Sequence, residues 1–168
     1  RGRPEFDPQG LRSGGFTLFP YATADLLYDS NVYRREEAQD DVALYSGAGL
    51  VAGSNWSRHG LGVRAQVNNR TYADFGSENA TLWSLQTDGR LDVARAAELT
   101  ARAASGRTLV ERGASGLVLL TREPIRQDFA DFRVGGSYAP GRLGVSVDLG
   151  YAEDDFKDAE SPAGVLLD

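Results

Sequence analysis

Residues 59–71 read HGLGVRAQVNNRT, and this stretch decides the fold class. Small or apolar residues occupy every second position, at Leu61, Val63, Ala65 and Val67, and polar residues stand between them. A period of two residues indicates a β-strand with one apolar and one polar face. The stretch alone fits two opposite arrangements, because a soluble barrel buries its apolar face whereas a membrane barrel turns it outwards.

The same alternation recurs along the chain and predicts an all-β fold, an antiparallel up-and-down meander of about seven strands. The predicted strands run over residues 15–28, 42–56, 60–72, 81–93, 98–107, 129–139 and 142–151. Residues 91–106 are rich in Ala, Leu, Glu and Arg, which by propensity alone favours a helix. We predict two strands and a turn there, because the alternation continues through both flanks.

Short and long connections alternate along the chain. The short ones are residues 57–59, 95–97 and 140–141, and the longer polar ones are 29–41, 73–80, 108–128 and the final stretch 152–168. A meander with this rhythm has all its short turns at one end and all its long loops at the other, which is typical of outer-membrane barrels.

Aromatic residues on the apolar faces predict two girdles, as expected where strands cross both lipid interfaces. The girdle residues are Trp56 and Tyr138 near the short turns, and Trp83, Phe132 and Tyr151 near the long loops.

Composition favours an apolar face that points outwards. The apolar positions carry much Ala and Gly, with one Ile in the whole chain, and a lipid-facing surface does not need the interlocking side chains of a dry core. The polar positions carry Arg, Gln, Asn and Asp, with one Lys in total, and this mixture suits a hydrated interior. The side chains predicted to line that interior are Arg64, Gln66, Asn68, Arg70, Asp88, Arg90, Arg102, Asp131 and Arg133.

Charge and residue counts exclude several classes of protein. The chain has 168 residues and a formal net charge of −6, which argues against nucleic acid as a partner because phosphates attract basic surfaces. It has no cysteine, so thiolate chemistry and disulfides are excluded. It contains no run of about 18 apolar residues that would form a transmembrane helix. It also lacks methionine, and we therefore expect a processed or trimmed product.

No arrangement of residues points to catalysis, and we predict neither an enzyme nor a cofactor or metal site. His59 is the only histidine, and no carboxylate or serine partner is predicted beside it to make it a general base. The acidic stretches 28–41 and 153–160 lack the spacing of an EF-hand loop and are interpreted as solvated loops.

Several segments carry a family pattern. Residues 1–34, RGRPEFDPQGLRSGGFTLFPYATADLLYDSNVYR, resemble the start of mature outer-membrane β-barrel proteins of alphaproteobacteria. Residues 54–79, SNWSRHGLGVRAQVNNRTYADFGSEN, together with DGRLDVAR at 88–95 and ERGASG at 111–116, continue the resemblance to the family named putative β-barrel porin 2.

This resemblance implies a bacterial outer-membrane protein that passes polar solutes or takes part in exopolysaccharide export. Its partners would be membrane lipid or lipopolysaccharide, and a polysaccharide or small polar solutes. Two alternatives stay open: a soluble β-sandwich or barrel that binds a carbohydrate or protein, and a structural outer-membrane barrel that conducts nothing.

The domain prediction is an N-terminal periplasmic segment, residues 1–14, followed by barrel strands over residues 15–168. Members of the family are considerably longer, and seven strands leave two edges whose backbone groups cannot face lipid unpaired. We therefore expect an incomplete, truncated barrel, whose wall is closed by further C-terminal strands or by an oligomer.

Overall fold

A computed structural model describes residues 8–110, 121, 123–157, 159–160 and 166–167 of the chain. Seven long strands of 12 to 15 residues dominate it. The strands are β1 Leu11–Ser13, β2 Phe16–Asp29, β3 Asp41–Ser54, β4 Gly60–Tyr72, β5 Ala80–Ala94, β6 Ala97–Val110, β7 Ile125–Tyr138, β8 Val145–Phe156, β9 Ala159–Glu160 and β10 Leu166–Leu167. A single 3-10 turn lies at Gly76–Glu78, and among the described residues no helix is long and apolar enough to cross a membrane.

The first eight strands form one sheet in chain order, and each strand pairs antiparallel with the next. This confirms the predicted all-β meander. Within the described part of the chain the sheet is not closed, so that β1 and β8 are its edges, while β9 and β10 pair only with each other. A sandwich requires two sheets packed face to face, and the single eight-stranded sheet does not provide that arrangement.

The register joins like residues across the strands and gives the sheet two chemically different faces. Leu18 pairs with Ala52, which pairs with Val63, and Val63 pairs with Thr87. We call this side the apolar face. The side that carries Arg64, whose ladder neighbours are Val51 and Gln86, is called the polar face.

Exposure on the two faces is the reverse of that in a soluble protein. Trp83 and Leu85 on the apolar face of β5 are 40% and 47% exposed, whereas Ser84 and Gln86 on the polar face are half-buried. The sheet curves towards its polar face, because one groove on that face is lined both by Gly53 of β3 and by Asp148 of β8, five strands away.

The strand boundaries confirm the two strands and the turn predicted over residues 91–106, and they add a short strand before residue 15. Residues 91–106 lie in β5, a tight turn at 95–96 and β6, so the alternation prevailed over helix propensity. Leu11–Ser13, expected in a periplasmic segment, forms β1 and pairs with β2 through a turn in which Gly14 adopts a φ of 56°, a value that glycine tolerates without strain. Residues 1–7 of that predicted segment, and the ERGASG motif, lie outside the described residues.

Three strands extend further than predicted at the long-loop end, and the first is β6, which continues to Val110 and not only to residue 107. β7 begins at Ile125 and not at residue 129, and β8 continues to Phe156 and not to Tyr151. The alternation disappears there because charged residues, such as Asp128 and Asp155, replace apolar ones on the apolar face, although these two residues still pair in the ladder.

Candidate functional site: the concave polar face

All nine side chains predicted to line the interior project from the polar face. The register places them in adjacent strands: Arg64, Gln66, Asn68 and Arg70 in β4, Asp88 and Arg90 in β5, Arg102 in β6, and Asp131 and Arg133 in β7. Their common face is the concave one, and whether they line a closed lumen stays a prediction.

Glycines form the floor of the groove towards the short-turn end. Gly53 pairs with Gly62, and Gly62 pairs with Asp88. A Cβ atom at Gly62 would lie 2.7 Å from a carboxylate oxygen of Asp88, so the absence of a side chain allows Asp88 to lie across its neighbour. Gly135 has the same relation to Asp148. These glycines therefore keep the groove open between the charged side chains.

The ion pairs in the groove are exposed and local. Arg90 Nε lies 3.2 Å from Asp92 and 3.8 Å from Glu98, and Arg133 Nε lies 3.4 Å from Asp131. Pairs at this level of exposure contribute between about 0 and 1 kcal/mol each. They therefore leave these side chains free to rearrange around a solute.

Two arginines of the polar face, Arg102 in the groove and Arg64 outside it, have no acidic partner among the described residues. Arg102 stands opposite Asp88 in the ladder, but the two side chains form no ion pair. Arg64 likewise forms none, and its ladder neighbours are Val51 and Gln86. The polar face thus carries uncompensated positive charge at these points.

Aromatic residues on the polar face escaped the sequence analysis, which assigned only polar side chains to it. They are Phe19, Tyr21, Tyr45 and Phe129. The Tyr21 hydroxyl donates to Gln66 Oε1 at 3.1 Å, and its ring lies across Gly49. Their odd parity in β2, opposite to that of Leu18, was the signal that could have found Phe19 and Tyr21.

A folded cap covers the polar face at the long-loop end. The loops 30–40 and 73–79 meet there around Val32, Ala43 and Tyr72, which are all buried. The Asp41 carboxylate accepts hydrogen bonds from the backbone N–H groups of Asp74 and Phe75, at 3.0 and 3.1 Å. One side chain therefore joins the start of β3 to the second loop.

Electrostatics explain why Asp41 stays ionised although it is buried. Burial acts to raise its pKa, but backbone N–H groups of Asp74, Phe75, Val42 and Ala73 point at the carboxylate, and the net pKa is lowered from its ordinary value. The expectation that residues 28–41 form a solvated acidic loop is therefore wrong at this residue, because its carboxylate serves as an internal acceptor.

Other residues of the quoted family segments complete the cap. Asn79 Oδ1 accepts from the Tyr72 backbone N–H at 2.7 Å, and the Tyr72 hydroxyl donates to Asp29 at 3.2 Å. Asn31 bonds to both backbone groups of Arg35. Arg70, predicted as a lining residue, donates to the Glu78 carbonyl oxygen. Its guanidinium group is therefore engaged by the cap.

His59 has a structural role in a turn. It adopts a φ of 66°, its Nδ1 accepts from the Asp92 backbone N–H at 3.1 Å, and its own backbone N–H donates to the Asp92 carboxylate. The expectation that no carboxylate lies beside it is wrong, since the turn between β3 and β4 folds against β5. The carboxylate bonds the backbone and not the ring, so the pair does not have the geometry of a general base.

Two of the five girdle residues lie at different heights from those predicted, and the other three lie at the predicted ends of their strands. Trp56 follows β3 and packs edge-on against Phe16, with ring centroids 5.4 Å apart, and Tyr138 ends β7. Phe132 and Tyr151 lie near the middle of β7 and β8, not near the long-loop end, because both strands are longer than predicted.

Charged residues mark the upper boundary of the apolar band on β6 to β8. Arg107 stands opposite Trp83 and forms a bidentate pair with Asp128, at 2.6 and 2.7 Å. Lys157 lies 3.6 Å from Asp128. Phe132 and Tyr151, which face each other in the ladder, lie below these charges.

This boundary runs obliquely across the sheet. The ladder row of Trp83 passes through Arg107 and Asp128 to Asp155, and Tyr151 lies four residues below Asp155 in β8. Four residues correspond to roughly 13 Å along a strand, and the three strand spacings from β5 to β8 to roughly 14 Å. The boundary is therefore inclined by about 40° to the ladder rows, which corresponds to the tilt of strands in membrane barrels.

No three acidic, cysteine or histidine side chains of the described ranges converge as a metal site requires. The side chains that this surface offers for binding are arginines, carboxylates, amides and aromatic rings.

A curved antiparallel meander, apolar and exposed on its convex face and polar on its concave face, defines a segment of β-barrel wall. The family model described as putative beta-barrel porin 2 matches residues 3–168, and the chain belongs to this family of porin-like barrels. No curated protein and no solved structure matches the chain. The alphaproteobacterial origin implied by the resemblance stays a prediction.

Proposed function

We propose that the chain forms part of the wall of a bacterial outer-membrane barrel whose hydrated interior passes polar solutes. The observation that carries the proposal is the reversed exposure of the two faces. A convex surface with Leu85, Leu99 and Leu149 about half exposed or more is stable only against an apolar surrounding, and lipid is the surrounding that a barrel wall meets.

The concave face supports passage rather than chemistry. Its arginines and carboxylates form weak, exposed pairs, and mixed charge along a pore sets which solutes pass. Under this proposal no covalent step occurs, and the partners are membrane lipid or lipopolysaccharide on one face and polar solutes on the other. Participation in exopolysaccharide export is the particular form of passage that the resemblance adds.

Site-directed spin labels test the orientation. In the full-length protein reconstituted in vesicles, we expect labels at Val63 and Val67 to be accessible to oxygen dissolved in lipid. Labels at Gln66 and Asn68 should instead be accessible to a water-soluble nickel chelate. All four positions lie on β4, so they differ only in the face from which the label projects. Labels at Val63 and Val67 accessible to the nickel chelate, with those at Gln66 and Asn68 accessible to oxygen in lipid, would overturn the membrane orientation.

Planar-bilayer recording tests passage itself. We expect discrete conductance steps when the full-length protein is added to a bilayer in potassium chloride solution. A second candidate, a structural barrel that conducts nothing, is favoured by the cap that covers the concave face at the long-loop end. Correct spin-label orientation without any conductance steps would support this second candidate and overturn the first.

A further inference from the structure

We propose that Arg102 and Arg133 form a binding subsite for the carboxylate of a hydroxyl-rich solute, such as an acidic sugar. The inference rests on the proposed function, because the solute would reach the subsite through the hydrated interior. It identifies one place in the groove where the solute is held and the chemical class that is held there.

The two arginines are directly opposite each other in the β6–β7 ladder. Side chains in this relation start about 5 Å apart, and like charges at such positions repel each other. Both point into the groove that is lined also by Thr100 and Asp148. An anion bound between the two guanidinium groups would therefore relieve their repulsion.

Acidic residues near the pair do not neutralise it, and Asp148 forms no ion pair with either arginine. Arg102 forms no ion pair with Asp88, its ladder neighbour, whose side chain lies across Gly62. Arg133 contacts Asp131, its second neighbour along β7, and remains 66% exposed. Two guanidinium groups with free donors match the two oxygens of a carboxylate, since each can present parallel N–H groups.

The surrounding side chains favour a solute that also carries hydroxyl groups. Thr100 and Asp148 both lie over Gly135, so a hydroxyl and a carboxylate stand beside the arginine pair. Carboxylate oxygens accept hydrogen bonds from sugar hydroxyls, and an arginine pair alone would not distinguish a sugar acid from chloride. The combination therefore defines a sugar-acid subsite rather than a general anion site.

Glucuronate and glucose are the probes, because glucuronate carries a carboxylate where glucose carries a hydroxymethyl group. In planar bilayers with the full-length protein, we expect glucuronate to reduce the current in a saturable manner and glucose to have little effect. Arg102→Gln and Arg133→Gln should each raise the half-blocking glucuronate concentration about tenfold, since each removes a charge-assisted hydrogen bond. Arg102→Lys should give a half-blocking concentration between those of the unchanged protein and Arg102→Gln, because lysine keeps the positive charge but lacks the paired N–H donors of a guanidinium group.

The control variant is Arg126→Gln, which removes the same charge on the other face of the sheet near the long-loop end. It should leave the block unchanged. An equal effect of Arg126→Gln, or equal block by glucose, would overturn the subsite while leaving the pore intact.

Saturation-transfer NMR in detergent micelles measures glucuronate binding even if the barrel does not conduct. Loss of transfer in Arg102→Gln, with the far-UV spectrum unchanged, would support the subsite. Undiminished transfer in that variant would overturn it. Absence of conductance counts only against the proposed function, so the two failures are distinguishable.

Discussion

At the scale of single residues, the side chains that shape this protein act mainly on backbone groups. Asp41 accepts from the N–H groups of Asp74 and Phe75, and Asn79 accepts from that of Tyr72. Hydrogen bonds of this kind depend on where loops return in space, so spacing along the chain did not predict them. The sequence offered one local signal, since Asp and Asn in YDSN favour turns that their own side chains close.

Asp41→Asn is expected to loosen the cap, because it removes the charge that two loop N–H groups contact. Hydrogen exchange at the amides of Asp74 and Phe75 should become faster, and Glu37→Gln, an exposed change in the neighbouring loop, should leave it unchanged.

The pH dependence of this protection follows from the lowered pKa of Asp41. A carboxyl group whose folded pKa is lowered contributes stability above its unfolded pKa and loses it as the pH falls through the folded pKa. Protection of the two amides should therefore persist at neutral pH and fade only below the ordinary carboxyl range. Protection that is already lost near neutral pH would contradict the assigned role.

Neighbouring residues of β5 provide a test of the apolar face. Leu85→Arg should lower the free energy of unfolding in lipid vesicles, by less than the roughly 2 to 4 kcal/mol that an arginine costs at the bilayer centre, because Leu85 lies only two residues from Trp83 in β5. Gln86→Arg places the same side chain on the polar face and should change little. Denaturant titration of the full-length protein in vesicles measures both, and equal effects would contradict the assignment of the faces.

At the scale of the strands, sequence alternation predicted the positions of the strands more accurately than it predicted their ends. It succeeded wherever one face is apolar, as in β4, whose predicted range of 60–72 agrees with the structure. It failed at Ile125 and Phe156, because the ladder continues beyond the apolar band and the side chains there are charged on the apolar side too. Backbone pairing does not require alternation, so the pattern records the surroundings of a strand rather than its length.

The two tryptophans test the height of the band. Trp56 follows β3 at the short-turn end, and Trp83 lies three residues inside β5 at the other end. In vesicles of brominated lipids, we expect bromine near the headgroups to quench both more strongly than bromine near the chain ends, since both should sit at interfaces.

The variants Trp56→Phe and Trp83→Phe each leave one tryptophan, so each interface can be measured separately. Stronger quenching of Trp83 by chain-end bromine would show that Trp83 lies deep in the bilayer. The boundary of the apolar band at the long-loop end would then not pass along the row of Trp83 and the Arg107–Asp128 pair, which would contradict the oblique band.

At the scale of the whole molecule, the sequence predicted the meander, its connection rhythm and the sharing of one face by the nine lining residues. The resemblance implied a curved barrel wall, but the alternation itself did not predict the curvature, which arises from the twist of neighbouring strands. It also did not predict that Arg102 and Arg133 stand opposite each other, because the neighbour of Arg102 in β7 follows from register and not from sequence distance. The candidate subsite is therefore a property of the assembled sheet.

The exposure pattern also bears on how the chain reaches its folded state. Buried apolar residues among the described ranges are few, Val32, Ala43, Ala52, Tyr72 and Ala80, and they contribute little of the driving force by which water-soluble domains fold. Most of that force would arise when the convex face leaves water for lipid. Insertion and folding would then be one thermodynamic event, and before it the chain would need protection by a holding chaperone, since its apolar strands could otherwise pair between molecules.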